Sequence, residues 1–184
     1  TSGRFRLTRA VGVFGRSIAE HVLGWCLYYT KDIPRVLSAQ RRRSWDRFRP
    51  GLLAGRRLGV AGLGSVGCEI ARTGRALGLH VWGLKRDPAP EAVLDGLVDR
   101  VFGPGGLLEF AAGVDFLVLT LPLTPDTREI ISTGTLGVMQ PSSVLINVGR
   151  GALIDEAALV PALKQGRPGA AVLVSSAIRY FRVA

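Results

Sequence analysis

The chain has 184 residues and a formal net charge of +10; 47% of the residues are hydrophobic and 21% are charged, a composition typical of a packed α/β protein with one sizeable core. No apolar run approaches the roughly 20 residues that span a bilayer, and Cys26 and Cys68 fit no disulfide or metal-binding pattern. We therefore expect a cytoplasmic protein with no membrane partner and no metal.

The first 57 residues hold the whole charge excess, with 13 basic and 3 acidic side chains against 11 of each in residues 58–184. A helix is predicted to start at Ser17, where Ser17 and Glu20 form a capping box. Apolar residues follow on two sides of this helix, and two apolar sides need two packing partners. We therefore expect helix 17–30 to mediate homodimerisation. A second helix is predicted from Asp32 to about Arg43.

The arginine run 41–43, with Trp45 and Phe48 nearby, permits two interpretations. Basic side chains interleaved with aromatic ones are typical of nucleic-acid binding. A solvated helix end that leads into a linker explains the same residues, and we favour this second interpretation. We therefore expect no nucleic-acid partner.

The segment from Leu58 to Arg86 predicts a strand, a glycine turn, a helix to Leu77 and a second strand over residues 79–84. The turn is Gly62-Leu63-Gly64-Ser65-Val66-Gly67. The first glycine permits the tight turn, the second lets backbone amides approach a pyrophosphate, and the third lets helix and strand pack closely. The expected ligand is a dinucleotide, bound by all six residues of the turn.

Lys85 and Arg86 occupy the position that selects the nucleotide. NAD-binding versions of the motif place an acidic residue here for the ribose 2′-hydroxyl, whereas a cation accommodates a 2′-phosphate. Two cations therefore favour NADPH over NADH. Asp87 precedes Pro88 and is interpreted as the start of a loop.

The rest of the chain continues to alternate short apolar runs with helical segments. Strands are predicted near residues 100–102, 116–120, 144–148 and 170–174, and helices near 107–112, 133–139 and after Asp155. This alternation predicts a doubly wound, parallel, Rossmann-like α/β sheet with helices on both faces and an N-terminal linker helix. Ligands of such sheets bind at the carboxyl ends of the strands.

Four ordered motifs resemble the D-isomer-specific 2-hydroxyacid dehydrogenases, and their closest similarity is to the NADPH-dependent glyoxylate/hydroxypyruvate reductases. The resemblance covers roughly residues 8–171. The motifs are Ala19-Glu20-His21-Val22-Leu23, the glycine turn, Leu121-Pro122-Leu123-Thr124 with Thr127, and Asn147-Val148-Gly149-Arg150-Gly151 to Asp155-Glu156.

The resemblance implies hydride transfer between a nicotinamide and a small 2-keto acid. It gives Arg150 the role of holding the carboxylate and carbonyl of the substrate, which suits a bidentate guanidinium. It also implies a cofactor-binding set at two strand ends: Leu121, Pro122, Thr124 and Thr127, and then Asn147, Val148 and Gly149.

The sequence departs from the family where the proton donor is expected. The family uses a Glu–His pair downstream of the arginine, but this chain has no histidine after His80. Both histidines, His21 and His80, are interpreted as structural. We therefore expect a reductase that does not turn over alone. The alternative is a nucleotide-sensing, corepressor-like interaction module without catalysis.

The boundaries predict a piece of a longer protein. Residues 1–57 are interpreted as a remnant of a substrate domain with basic linker helices, residues 58–174 as the cofactor domain, and residues 175–184 as a tail foreign to the family. Pro161, inside a predicted helix, and Pro168 suggest an aberrant end. A reading-frame change or an alternative exon after Leu173 would explain the tail; finding no histidine-containing family segment in the other two frames would exclude it.

Overall fold

The computed structural model describes residues 12–87 and 96–174, so the expected foreign tail lies outside the described residues. Helices and strands follow the predicted order. None of the helices in these two ranges is long and apolar enough to cross a membrane. The elements are α1 Gly15–Thr30, α2 Ile33–Arg41, β1 Arg57–Ala61, α3 Ser65–Ala76, β2 His80–Leu84, β3 Arg100–Phe102, α4 Leu107–Ala112, β4 Phe116–Leu119, α5 Thr133–Val138, β5 Val144–Asn147, α6 Glu156–Lys164 and β6 Ala170–Leu173.

The six strands form one parallel sheet in the order β3-β2-β1-β4-β5-β6. The chain winds outward from β1 to β3, crosses back to β4 and then winds outward on the other side. This is the doubly wound arrangement that the alternating pattern predicts, with its switch point between β1 and β4. The predicted fold class is confirmed.

Two apolar layers cover the sheet, one on each face. Along β4, Phe116 and Val118 belong to the layer with α1 and α3, whereas Leu117 and Leu119 belong to the layer with α4, α5 and α6. All four side chains are buried, because successive side chains of a strand point to opposite faces and both faces are covered. This explains why the strands have no polar alternation.

The predicted start of α1 is wrong. The helix begins at Gly15, and Phe14 precedes it with no side-chain cap. Ser17 and Glu20 are exposed and form no capping box. The first turn is held by packing: Gly15 is buried against α3, where a Cβ would be in ordinary van der Waals contact, 3.5 Å from the Cβ of Glu69. Tertiary contact replaces the local cap.

His80 and Asp99 fix the end of β2 that lies away from the ligand edge. The Val81 amide donates to Asp99 Oδ2 at 2.6 Å, and Arg75 Nη1 donates to Asp99 Oδ1 at 2.6 Å. Burial pushes the pKa of Asp99 upward, but the hydrogen bonds from Arg75 and Val81 outweigh it and hold that pKa below its ordinary value. His80 Nδ1 lies 3.9 Å from Asp99 Oδ2, so His80 belongs to this structural cluster.

Pro161 lies inside α6, as predicted, but does not end the helix. The Ala158 amide donates to Asp155 Oδ1 at 3.1 Å, which confirms the predicted cap, and the helix continues to Lys164. Pro161 itself is exposed, so its ring meets no packed neighbour. β6 then pairs with β5 over its whole length, so the two prolines do not disturb the sheet.

Candidate cofactor and substrate site

The glycine turn joins the carboxyl end of β1 to the start of α3. Gly62 has φ +105°, a left-handed conformation that favours glycine, and its amide donates to Leu84 O at 2.9 Å. A Cβ at this position would lie 2.9 Å from Thr120 Oγ1. The turn therefore fits tightly between β2 and β4.

Gly64 and Gly67 differ in what surrounds them. A Cβ on Gly64 would meet nothing within 4 Å, so this side of the turn is open. A Cβ on Gly67 would overlap the carbonyl oxygen of Gly62. Gly67 therefore lets the first turn of α3 lie close to the end of β1, which agrees with the expected role of the third glycine. Gly74, later in α3, makes a second close contact with β1, because its Cβ would lie 2.7 Å from Leu58 Cδ2.

Thr120 ends β4 and supports the turn, a role that sequence reasoning missed. Its hydroxyl lies 2.6 Å from Gly62 O and 3.0 Å from Ala61 O. A hydroxyl at the end of an otherwise apolar strand is the signal that could have identified it. Thr120 thus ties the ends of β1 and β4 together at the switch point.

The loop after β4 is ordered by Thr127. This side chain is 8% exposed, and its hydroxyl donates to Pro122 O at 2.6 Å and accepts from the Thr124 amide at 2.8 Å. Both hydrogen-bonding roles of the hydroxyl are therefore used within the loop. Leu121 and Pro122, at the start of the same loop, line the ligand edge.

Asn147 orders the turn that carries Arg150. It is fully buried at the end of β5, its Nδ2 donates to Arg150 O at 2.9 Å, and its Oδ1 accepts from the Gly149 amide at 2.9 Å. The Asn147 side chain thus forms hydrogen bonds with two backbone groups of the turn. The Arg150 side chain takes no part in these hydrogen bonds and is exposed. Val148, between them, is half-buried.

Two cavities lie at this edge of the sheet and share Leu121. The larger, about 570 Å³, is an open cleft lined by Ile18, Val66, Thr120, Leu121, Pro122, Leu123, Val148, Gly149 and Arg150. The smaller, about 240 Å³, is lined by Leu84, Lys85, Arg86, Pro104, Leu121, Asp126, Thr127 and Ile130.

These cavities bring together residues that the sequence predicted separately. Lys85 and Arg86 line the smaller cavity together with residues of the loop after β4. Val66 of the glycine turn lines the larger cleft together with Arg150. Ile18 of α1 and Asp126 were not predicted to line the site. Ile18 gave no signal beyond a generally apolar helix, and Asp126 shares its loop with a second acid, Glu129, so its charge alone does not identify it.

A parallel sheet in this order, with a glycine turn between its first strand and helix, defines a dinucleotide-binding domain. Residues 23–174 match the family described as "D-isomer specific 2-hydroxyacid dehydrogenase, NAD binding domain". The chain belongs to this family. The match ends at residue 174, three residues beyond the end of the resemblance described above. It begins at residue 23, whereas the resemblance begins near residue 8.

The chain is similar to several full-length members. It is 37% identical over 161 residues to D-3-phosphoglycerate dehydrogenase of Methanocaldococcus jannaschii, covering 85% of this chain and 30% of that protein. It is 30% identical to glyoxylate reductase of Aeropyrum pernix, and this match covers 91% of this chain and 51% of that protein. The chain thus spans about a third to a half of these relatives.

A solved relative is the D-isomer specific 2-hydroxyacid dehydrogenase from Xanthobacter autotrophicus Py2, in complex with NADPH and MES. It is 32% identical, with a TM-score of 0.82, over 96% of this chain and 72% of the other. The structural similarity therefore extends over almost the whole chain.

Proposed function

We propose that this chain is the NADPH-binding part of a reductase that acts on a small 2-keto acid such as glyoxylate or hydroxypyruvate. In this proposal residues 58–174 bind the cofactor, and residues 1–57 are linker helices and a remnant of the substrate-binding half. The observation that carries it is the convergence at one sheet edge of the glycine turn, two cations and Arg150.

Lys85 and Arg86 support the choice of NADPH. Within residues 12–87 and 96–174, neither side chain forms a hydrogen bond or ion pair. Two unpaired cations at the carboxyl end of β2 suit a 2′-phosphate, and a charge-assisted hydrogen bond is worth about 1.5–3 kcal/mol. The NADPH complex of the Xanthobacter relative is consistent with this choice.

Arg150 is assigned to the substrate. Its backbone is held by Asn147 while its exposed guanidinium borders the larger cleft, so it can pair with a carboxylate through two parallel hydrogen bonds. Val66 and Val148 contribute apolar walls to the same cleft. When bound there, a nicotinamide supplies the hydride.

Among the described residues, the larger cleft has no side chain of the kind that usually donates a proton in catalysis. None of its lining residues in the described ranges is a histidine or a carboxylic acid. We therefore propose that the chain alone binds ligands without turning them over. The same observation favours a second candidate, a nucleotide-sensing interaction module, whereas Arg150 favours the reductase.

Calorimetric titration with NADPH and NADH tests the cofactor proposal. We expect NADPH to bind at least about tenfold more tightly than NADH, because of the phosphate contacts. The Lys85→Asp/Arg86→Ala variant should lose this preference. The matched control, Arg47→Asp/Arg49→Ala, makes the same charge change at exposed positions remote from the cavity and should keep it. Equal affinities in the unchanged protein would contradict the proposal.

The same titration separates the two candidate functions. Hydroxypyruvate added to the NADPH complex should bind to the unchanged protein and lose affinity in Arg150→Gln. If the keto acid does not bind and NADPH does, the sensing module becomes the better interpretation.

We also propose a homodimer formed through α1. Trp25 and Tyr28 are both partly exposed on one side of the helix and form an edge-to-face pair at 5.2 Å, and Phe14, which directly precedes the helix, is 62% exposed. Trp25→Arg should dissociate the dimer in sedimentation, because it places a charge on this apolar face. Leu37→Arg, which introduces the same charge at an exposed position of α2, should leave the mass unchanged. A dimeric Trp25→Arg variant would contradict the proposed interface.

A further inference from the structure

The smaller cavity contains one acid, Asp126, opposite in charge to the two cations that share the cavity. The rest of its wall consists of Thr127 and four apolar side chains: Leu84, Pro104, Leu121 and Ile130. Four apolar groups around a cavity of about 240 Å³ suit the faces of a flat base, and the charged groups remain for polar edges.

Asp126 is held in place by its turn and has no partner of its own. The amides of Thr127 and Arg128 both donate to Thr124 O, at 3.1 and 3.0 Å, so the backbone around Asp126 is closed by hydrogen bonds. Its carboxylate forms no hydrogen bond or ion pair with any residue of the described ranges. The neighbouring Thr127 hydroxyl already serves the loop.

The charged groups that line the cavity offer two kinds of polar contact to a ligand. Lys85 and Arg86 are donors only and suit phosphate oxygens. An ionised carboxylate is an acceptor only and is repelled by phosphate, so the ligand group that lies beside Asp126 has to be a hydrogen-bond donor. The exocyclic amino group of adenine is such a donor on the edge of a flat base.

We infer that Asp126 is a specificity-determining residue that accepts a hydrogen bond from the adenine amino group. This inference rests on the proposed function, because it requires the adenosine end of NADPH to lie in the smaller cavity. It assigns base recognition to Asp126 and phosphate recognition to Lys85 and Arg86.

A ligand that lacks the amino group tests the inference. Dissociation constants of NADPH and of its purine analogue, in which a hydrogen atom replaces the amino group, are measured by calorimetry for the unchanged chain and for Asp126→Ala. The unchanged chain should prefer NADPH by about tenfold or more, and Asp126→Ala should bind both within about twofold. Asp126→Asn keeps one acceptor oxygen and should retain part of the preference.

The ratio of the two affinities isolates the contact. Removing a negative charge strengthens the binding of both anionic ligands equally, so this effect cancels in the ratio. Glu156→Ala, which removes an acid on α6, should leave the ratio unchanged. If NADPH binds but the ratio is the same in the unchanged chain and in Asp126→Ala, this inference is wrong and the proposed function stands. Failure of the unchanged chain to bind either ligand overturns the proposed function as well.

Discussion

Gly67→Ala should lower the free energy of unfolding by about 3 kcal/mol, because the new methyl group would overlap the carbonyl oxygen of Gly62. Neither side of this contact is a flexible side chain. The turn is also fixed by the Gly62 amide, which donates to Leu84 O at 2.9 Å, and by Thr120, so the overlap cannot be relieved locally. Urea denaturation followed by circular dichroism measures the change.

Gly64→Ala is the matched control within the same turn. Its methyl group would enter open space, and Gly64 has φ −84° and ψ −167°, which alanine adopts without strain. We expect stability within about 0.5 kcal/mol of the unchanged chain but NADPH binding weakened by about tenfold, because the methyl group occupies the open side where a pyrophosphate would approach. A Gly67→Ala variant as stable as Gly64→Ala would contradict the close approach.

Asn147→Leu should cost about 2–4 kcal/mol of unfolding free energy. Leucine has the same branching and the same number of side-chain heavy atoms, but it leaves the Gly149 amide and the Arg150 carbonyl without the partner that the fully buried Asn147 provides. The turn before α6 should loosen, and keto-acid binding should weaken with it because Arg150 is no longer held. Urea denaturation and calorimetry measure the two effects.

Thr135→Val is the control for the loss of a single buried hydrogen bond. Thr135 is 2% exposed and donates to Ile130 O at 3.0 Å, and neither residue lines the larger cleft. Thr135→Val should cost about 1 kcal/mol and leave keto-acid binding unchanged. If Asn147→Leu costs no more than Thr135→Val and binds the keto acid normally, Asn147 does not organise the Arg150 turn.

The strands and their order were the most predictable part of this protein. β4 and β5 are continuous apolar runs because both faces of the sheet are covered, and a continuous run gives a clear signal. The glycine turn was predictable because its steric demands are local, within six residues. Lys85 follows β2 directly, so its position at the carboxyl edge followed from the strand assignment.

The start of α1 and the roles of Ile18, Thr120 and Asp126 could not be derived in the same way. Each depends on contacts between segments far apart in the chain: Gly15 with Glu69, and Thr120 with Gly62. A local capping rule assigned the wrong first residue because packing against α3 supplies what a cap would supply. Ile18 and Asp126 line cavities formed by segments that are distant in the sequence, so no pattern of neighbouring residues indicates their position.

The crossover between β3 and β4 has a consequence for the folding of the growing chain. β1 lies at the centre of the sheet, and its pairing with β4 joins Ala61 to Leu119. One edge of β1 therefore stays unpaired until about 55 further residues have been synthesised. At roughly 5–20 residues per second of synthesis, this delay lasts about 3–11 s. During that time an apolar strand edge next to the glycine turn has no partner, which makes this half of the chain a substrate for chaperones and a starting point for aggregation.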